Sequence, residues 1–342
     1  MTLAYDIVVG TGGLGTGIML ALEGNRTLGR EESRPAQLLD RRDYCKLHIV
    51  SHYVQRLLGP RAPVVPVGKV GDDEAGRFVL AEMRAAGLDT SFVATSPCPT
   101  LFSVCFLYPD GDGGNLTTST SASAEVTAAD VEAVQELFRR HRGRGVALAL
   151  PEVPLQARIA LLGLATEHHW LRVAAVVPDE VEALRNSGAL AQLDLLALNV
   201  EEAAAFGRTS PDAPVHGVVD AVVDELGAVG CTAGLVVTAG GRGSWSWEAG
   251  RLVHAPAVDG GGGVVSTAGA GDAHLSGLVV GLVAGVDLAT ANAFAALVSG
   301  LKVRSPHTID PDLDVAAVVG LAARLDRSLP EELLAALGGT GT

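Results

Sequence analysis

Short apolar runs typical of buried strands alternate with amphipathic segments along most of this chain. The runs cover residues 7–9, 63–67, 146–150, 173–177, 193–198 and 235–238, and helical patterns such as residues 74–86 and 129–140 lie between them. Alternation of this kind favours a parallel sheet with helices on both faces. The chain has no internal repeat and no linker that would divide it, so we predict a single α/β domain over residues 1–342.

Two stretches interrupt the alternation and predict a small additional β structure. Residues 101–108 and 115–121 flank the turn-rich sequence PDGDGG, which is typical of an antiparallel hairpin. Residues 20–35 follow neither a helical nor a strand period. We expect these stretches to belong to one small β lid, with segments at about 16–35 and 98–123.

The composition excludes several classes of partner. Lys and Arg number 25 against 39 Asp and Glu, a net charge of −14, so the field of the molecule repels a phosphate backbone and nucleic acid is not expected as a partner. The longest apolar stretch, residues 275–286, is shorter than the roughly 20 residues of a membrane span, so no membrane partner is expected. Four scattered cysteines without a C-x-x-C pair favour free thiols, and the amino terminus lacks the basic region of a signal peptide. We therefore expect a cytoplasmic protein.

The most distinctive local motif is a turn of small residues that leads into an apolar helical run. Residues 266–272 read STAGAGD, and helix-forming residues follow at 273–286. Small residues at a helix start allow unpaired N–H groups to approach a ligand at the positive end of the helix dipole, which is typical of an anion site. Asp272 would repel a bound phosphate, so it fits a general base for a hydroxyl that attacks that phosphate. A simple helix cap is the alternative interpretation.

Residues 267–272 resemble the carboxy-terminal signature D-T-x-G-A-G-D of the PfkB or ribokinase-like carbohydrate kinases. Further segments resemble other family motifs in the same order along the chain: VGKVGDDEAG at 67–76, MRAAGLDT at 83–90, NVEE at 199–202 and VTAGGRG at 237–243. The resemblance covers roughly residues 5–310, and several short motifs in family order make it specific. It implies a ribokinase-like three-layer sandwich around a mostly parallel sheet, with a small β lid.

The resemblance also implies an ATP-dependent kinase that uses Mg²⁺ to transfer the γ-phosphate to a hydroxymethyl group of a sugar or nucleoside-like small molecule. Asp272 would be the general base, and Gly269, Ala270 and Gly271 would form the anion hole for the transferred phosphate. The residues expected along ATP are Asn199, Glu202, Thr238, Gly240, Gly243, Thr267 and Asn292, with Glu202 near Mg²⁺ through water. Asn199 and Glu202 also fit a capping box at a helix start. Edge pairing of the lid hairpin with a second copy would give a homodimer.

The chain departs from the family pattern on the side that selects the sugar. Gly17 stands where the family has an aspartate that grips sugar hydroxyls, and DYCKLH at 43–48 replaces the usual G-G-x-x-x-N motif. We therefore expect a substrate other than an ordinary hexose or ribose. The candidate contacts are Gly13, Gly17, Asp43, Lys46 and His48.

A further departure concerns a monovalent cation. Ser266 stands where the family signature has aspartate. In potassium-activated relatives that carboxylate helps to hold the ion, and a neutral hydroxyl is a poorer ligand for a hard cation. We therefore expect weak or absent activation by potassium.

Three competing interpretations of the sequence fail. Residues 10–15 read GTGGLG and satisfy the dinucleotide fingerprint, but a nicotinamide-binding unit needs a helix next and a second strand soon after, and no β-rich run follows the fingerprint until residue 63. The P-loop string G-x-x-x-x-G-K-[ST] does not occur. His48 and His52 lack the glutamate of zinc proteases, so we expect them on a polar surface or cleft face. A non-catalytic nucleotide- or metabolite-binding descendant of the same fold remains the alternative function.

Overall fold

The computed structural model describes residues 2–110 and 113–338. The strands of these ranges are β1 Ile7–Thr11, β2 Gly15–Leu22, β3 Ala36–Tyr44, β4 Val64–Gly71, β5 Val93–Ser96, β6 Leu101–Leu107, β7 Gly113–Thr117, β8 Gly145–Ala149, β9 Leu171–Ala175, β10 Leu195–Asn199, β11 Gly234–Thr238, β12 Ser244–Glu248 and β13 Arg251–Ala255. The helices are α1 Lys46–Leu58, α2 Glu74–Ala85, α3 Ala128–Glu132, α4 Gln135–Arg140, α5 Leu155–Glu167, α6 Val181–Asn186, α7 Val200–Gly207, α8 Val215–Ala228, α9 Ala270–Ala284, α10 Leu288–Lys302, α11 Val315–Arg324 and α12 Glu331–Ala336.

A large, mostly parallel sheet forms the centre of the molecule. Its strand order is β13-β12-β11-β10-β9-β8-β1-β4-β5, and the pairings from β11 to β5 are parallel. Strands β12 and β13 form an antiparallel edge beside β11. All five residues of β1 and of β8 are buried, as expected for strands covered on both faces. The α/β fold predicted from the alternating pattern is confirmed.

Helices cover both faces of this sheet and complete three layers. Successive residues of β1 point to opposite faces: Val8 packs in the cluster formed with α1, α2 and α9–α12, whereas Ile7 and Val9 pack in the cluster formed with α3–α5. A third cluster joins α6, α7 and α8 to β9–β11 on the same side as α3–α5. No helix within the described ranges is long and apolar enough to cross a membrane.

A second, four-stranded sheet has the order β3-β2-β6-β7. Strands β6 and β7 pair antiparallel, which confirms the predicted hairpin, although Gly111 and Asp112 of its turn lie outside the described residues. The expectation that no further strand lies between the first strand and residue 63 is wrong, because β2 and β3 pair antiparallel in this stretch. Six of the nine residues of β3 are exposed, so this strand has no apolar alternation that would reveal it in the sequence.

Candidate active site

The turn that precedes α9 has the geometry of an anion site. Gly269 is the N-cap residue in a left-handed conformation (φ 76°), and a Cβ on it would lie 2.7 Å from the carbonyl oxygen of Thr308, so only glycine fits. The Ala270 N–H donates to the carbonyl of Thr267 at 3.0 Å. Within the described residues the N–H groups of Gly271 and Asp272 have no hydrogen-bond partner, and a Cβ at Gly271 would meet open space. The start of α9 therefore offers two free donors to a ligand.

A cavity of about 60 Å³ lies against this turn, at the carboxyl ends of three neighbouring parallel strands. Its wall includes Ala175 at the end of β9, Asn199 at the end of β10 and Thr238 at the end of β11. This edge of an α/β sheet is where such folds place ligands. The polar side chains and the turn residue that line the cavity are Lys46, Asn199, Glu202, Thr238, Gly271, Asp272 and His274.

Lys46 is the basic group nearest to Asp272. Its Nζ lies 3.7 Å from Asp272 Oδ1 and 4.0 Å from Glu202 Oε1. Burial raises the pKa of Asp272, and the Lys46 ammonium opposes that rise. Burial acts to lower the pKa of Lys46, but the carboxylates of Asp272, Glu202 and Glu152 outweigh it and raise that pKa above its usual value. The arrangement keeps a protonated lysine beside a partly buried carboxylate that faces the cavity.

Asn199 and Glu202 form a capping box at the start of α7 and also line the cavity. The Glu202 N–H donates to Asn199 Oδ1 at 2.7 Å, and the Asn199 N–H donates to Glu202 Oε2 at 2.8 Å. The second oxygen, Glu202 Oε1, is the one that lies nearest to Lys46. Burial raises the pKa of Glu202, with Lys46 acting against it. Both predicted roles of the pair are therefore compatible with one geometry.

The donor set fits Mg²⁺ through water better than by direct coordination. No group of three or more His, Cys, Asp or Glu side chains in the described part of the chain could enclose a metal ion. Glu202 has one carboxylate oxygen that the capping box does not use. Because Mg²⁺ keeps several of its waters in most protein sites, one such oxygen together with substrate phosphates is a sufficient anchor.

The remaining residues predicted along ATP fall into two groups: Gly240 and Thr267 face open space, whereas Gly243 is packed within a turn. A Cβ added to Gly240 (φ 54°) would meet no atom within 4 Å, and Thr267 is exposed beside the α9 turn. Gly243 (φ 90°) shapes the turn between β11 and β12, because a Cβ there would collide with the Ala255 carbonyl.

The structure does not support the predicted nucleotide contact of Asn292. This side chain has no solvent exposure, and its Oδ1 accepts hydrogen bonds from Ser244 Oγ at 2.8 Å and from His274 Nε2 at 2.9 Å. Asn292 thus lies behind His274, which lines the cavity.

Two of the predicted substrate contacts adjoin the same region. Asp43, at the end of β3, accepts hydrogen bonds from Ser103 Oγ at 2.7 Å and Cys105 Sγ at 3.1 Å. Burial raises the pKa of Asp43, and the charge of Asp272 adds to the rise. Gly13 packs directly on the side chain of Glu152, which a Cβ would overlap.

Two other predicted contacts need correction. Gly17 pairs with Asp43 in the small sheet, and a Cβ on it would collide with the carbonyl and hydroxyl of Ser103, so no aspartate fits at this position. His48 is fully buried on the other side of α1, 4.5 Å from the ring of Tyr44, rather than on a polar face. It lines a separate cavity with His52, and burial lowers its pKa to about 3.

Glu152 is a site residue that no sequence motif singled out. It closely follows β8, its backbone is left-handed (φ 73°), and its Oε2 accepts the backbone N–H of Lys46 at 3.1 Å. Burial raises the pKa of Glu152 to about 7. The signal that could have found it is an acidic residue just after a buried parallel strand, at the sheet edge where ligands bind.

Thr308 joins the small sheet, α1 and the α9 turn. Its Oγ1 accepts the backbone N–H of Tyr44 and donates to the Arg42 carbonyl, both at 3.2 Å. Its carbonyl accepts a hydrogen bond from the Tyr53 hydroxyl at 3.3 Å and lies 2.7 Å from where a Cβ on Gly269 would be. One threonine therefore contacts three of the elements that surround the cavity.

Comparison with known proteins agrees with this fold. The signature of the pfkB family carbohydrate kinases matches residues 50–315, more than three quarters of the chain. The chain is a member of the PfkB family of carbohydrate kinases. No curated protein sequence matches the chain.

Solved structures of kinases share the fold at low sequence identity. Ribokinase from Cryptococcus neoformans var. grubii serotype A, in complex with ADP, is 19% identical with a TM-score of 0.74, and the match covers 92% of this chain and 99% of that one. Ribokinase from Arabidopsis thaliana, complexed with ribose and ATP, is 20% identical with a TM-score of 0.71, over 93% and 98% of the two chains. A nucleoside kinase from Burkholderia thailandensis, in complex with inosine, is 17% identical with a TM-score of 0.69, over 94% and 98%.

Proposed function

We propose that this protein is an ATP-dependent kinase that transfers the γ-phosphate to a hydroxymethyl group of a sugar or nucleoside-like small molecule. The observation that carries the proposal is the position of Asp272, whose carboxylate faces a cavity beside the free N–H groups of the α9 turn. Membership of the carbohydrate kinase family supports the reaction class. The nucleotides and acceptors bound to the similar kinases support ATP as donor and a sugar or nucleoside-like molecule as the type of acceptor.

Each group at the cavity has a role in this reaction. Asp272 takes the proton of the acceptor hydroxyl while the oxygen of that hydroxyl attacks the γ-phosphorus. ADP leaves with the electrons of the broken P–O bond. The N–H groups of Gly271 and Asp272 receive the oxygens of the transferred group. Lys46 supplies a positive charge beside the carboxylates of Asp272 and Glu202. Mg²⁺, held through water by Glu202 and Asn199, would neutralise phosphate charge.

The cavity is too small for the whole nucleotide. At about 60 Å³ it holds a few water molecules or a transferred phosphoryl group. The rest of ATP would lie outside it, past Thr238 and Thr267 and over Gly240, where a side chain would meet no protein atom.

We propose that the four-stranded sheet serves as a lid over the cavity. Its strand β3 ends at Tyr44, two residues before Lys46, and its Asp43 lies against Ser103 of β6. Closure of the lid would exclude water from the transferred phosphate. Exposed apolar side chains on this sheet, including Leu38, Phe102 and Leu116, favour a homodimer through the lid. Four free cysteines, all within the described ranges, favour a reducing compartment such as the cytoplasm.

A non-catalytic binding protein is the second candidate. The observation in its favour is the small sheet, where Gly17 cannot accommodate the aspartate that the family uses for sugar hydroxyls. A descendant that had lost its acceptor could still bind a nucleotide at the α9 turn.

The test is Asp272→Asn, assayed with a panel of sugars, nucleosides and amino sugars. We expect kcat to fall by about 10²–10⁴-fold while the Kd for ADP stays unchanged, because the amide cannot accept the proton but leaves the turn intact. Asp287→Asn is the matched control, since Asp287 caps α10 away from the cavity and asparagine caps equally well. Unchanged turnover in Asp272→Asn would remove this residue from the mechanism. ATP binding without transfer to any acceptor by the unaltered protein would favour the second candidate.

A further inference from the structure

Lys302 is a buried cation close to the α9 turn that the proposed mechanism does not use. The chain contains only three lysines, Lys46, Lys69 and Lys302, among its 25 basic residues. Lys302 is the last residue of α10, and its side chain has no solvent exposure. Its Nζ donates to the carbonyl oxygen of Ser266 at 3.2 Å. Ser266 is the residue at which the phosphate-binding turn begins.

Both backbone polar groups of Ser266, its N–H and its carbonyl, form hydrogen bonds at the carboxyl end of α10. Its N–H donates to the Val303 carbonyl at 3.1 Å, and the neighbouring Val265 N–H donates to the same carbonyl at 2.7 Å. The Lys302 ammonium donates a hydrogen bond to the Ser266 carbonyl. The lysine therefore completes a clamp that fixes where the chain enters the turn of residues 266–271.

A buried ammonium is costly unless negative groups surround it. Burial lowers the pKa of Lys302 to about 8, while Asp310, Asp272, Asp43 and Asp40 act in the opposite direction. The carboxyl end of α10 adds the negative end of a helix dipole. An apolar side chain would pack here without this cost, so the charge itself is the property that needs a function.

We propose that the Lys302 ammonium is a built-in cation that holds the Ser266 carbonyl, and through it the phosphate-binding turn, in place of a free monovalent ion. Lys302 is a positioning residue, because it touches the carbonyl of the turn and not the cavity. The proposal rests on the proposed kinase function for its effect on turnover. It gives a structural reason for the expected lack of potassium activation, which the sequence suggested from Ser266 alone.

The experiment compares Lys302→Ala, Lys302→Met and Lys302→Gln with the unaltered protein in buffers that contain choline, sodium, potassium, ammonium or methylammonium. The unaltered protein should change its kcat by less than about twofold among these cations. Lys302→Ala should lose about 10²-fold in kcat in choline, because a turn displaced by an ångström misplaces the phosphate. Ammonium, methylammonium or potassium should restore at least fivefold, because the shortened side chain leaves space for them.

Two variants separate charge from packing. Lys302→Met fills the space with an apolar chain, so no cation should restore its activity. Lys302→Gln keeps a hydrogen-bond donor without the charge and should stay impaired. Lys69→Ala is the matched control, since Lys69 pairs with Asp130 at 2.8 Å, away from the turn, and should show no cation dependence.

A thermal measurement distinguishes failure of this proposal from failure of the kinase assignment. The Tm of Lys302→Ala should rise in ammonium or potassium relative to choline, whereas the Tm of the unaltered protein and of Lys302→Met should not. If no acceptor is phosphorylated by the unaltered protein, the kinase assignment fails and this Tm pattern still tests the cation site. Full kcat in Lys302→Gln, or a Lys302→Ala variant whose kcat and Tm respond to no cation, would overturn the proposal.

Discussion

The two sides of the candidate active site are built in different ways. The proposed nucleotide side, formed by Asn199, Glu202, Thr238 and the turn of residues 266–271, consists largely of helix starts, and its shape follows from caps and backbone N–H groups. The proposed acceptor side contains the backbone of Gly13 and the charged side chains of Asp43, Lys46 and Glu152, which contact neighbours distant in sequence. Local motifs can specify the first kind of surface, whereas the second depends on tertiary packing.

The strongest test of the nucleotide side is a pair of alanine substitutions in the α9 turn. Gly271→Ala adds a methyl group where no protein atom lies within 4 Å, so the free energy of unfolding should not fall, but the methyl should obstruct the phosphate and lower kcat by about 10²-fold. Gly269→Ala should instead destabilise the fold by about 1–3 kcal/mol, because its φ is 76° and its Cβ would press on Thr308. Urea unfolding and steady-state kinetics measure both effects. Wild-type kcat in Gly271→Ala would contradict a phosphate at this turn.

Lys46 tests whether the acceptor side controls the base. In Lys46→Met the pKa of Asp272 should rise, because the ammonium that opposes its burial is gone. The acidic limb of the kcat–pH profile should therefore move to higher pH, with a loss of about tenfold on that limb for each pH unit of the move. Lys46→Arg keeps the charge and should keep the limb in place. Identical profiles for the methionine and arginine variants would show that Lys46 does not set the protonation of the base.

The substitution Glu152→Gln should give the smallest effect, and it should change the pH dependence of the free energy of unfolding. The folded-state pKa of Glu152, about 7, lies above the usual value of a glutamate, so ionisation destabilises the fold progressively as pH rises from the unfolded to the folded pKa. Glu152→Gln retains an acceptor for the Lys46 N–H and removes this loss. Its stability relative to the unaltered protein should increase by roughly 2 kcal/mol between about pH 5 and pH 8. A constant difference across that range in urea unfolding would contradict the raised pKa.

Much of the architecture could be predicted because it is encoded locally. The strands of the large sheet are apolar runs covered on both faces, and turns or caps such as Asn199 and Gly269 mark where helices begin. The same local signals bring Asp272, Glu202 and Thr238 into one predicted site, and the structure places all three on the cavity wall.

The parts that sequence reasoning missed depend on contacts between distant segments. Strand β3 is mostly exposed and exists through its pairing with β2. Lys302 has an ordinary position at a helix end, and only packing shows that its ammonium reaches Ser266. The polar character of Asn292 and His48 suggests ligand contacts, yet both side chains are buried beside other protein groups.

Thr308 connects the small sheet to the turn before α9. Tyr44 ends β3 and donates its N–H to the Thr308 hydroxyl, and the Thr308 carbonyl oxygen lies 2.7 Å from where a Cβ on Gly269 would be. A movement of β3 that changed the hydrogen bond between Tyr44 and Thr308 would also shift the Thr308 carbonyl beside Gly269. Binding of an acceptor that drew the small sheet inward would therefore change the shape of the turn before α9. Such coupling would keep the turn before α9 from adopting its phosphate-binding conformation until the acceptor has bound.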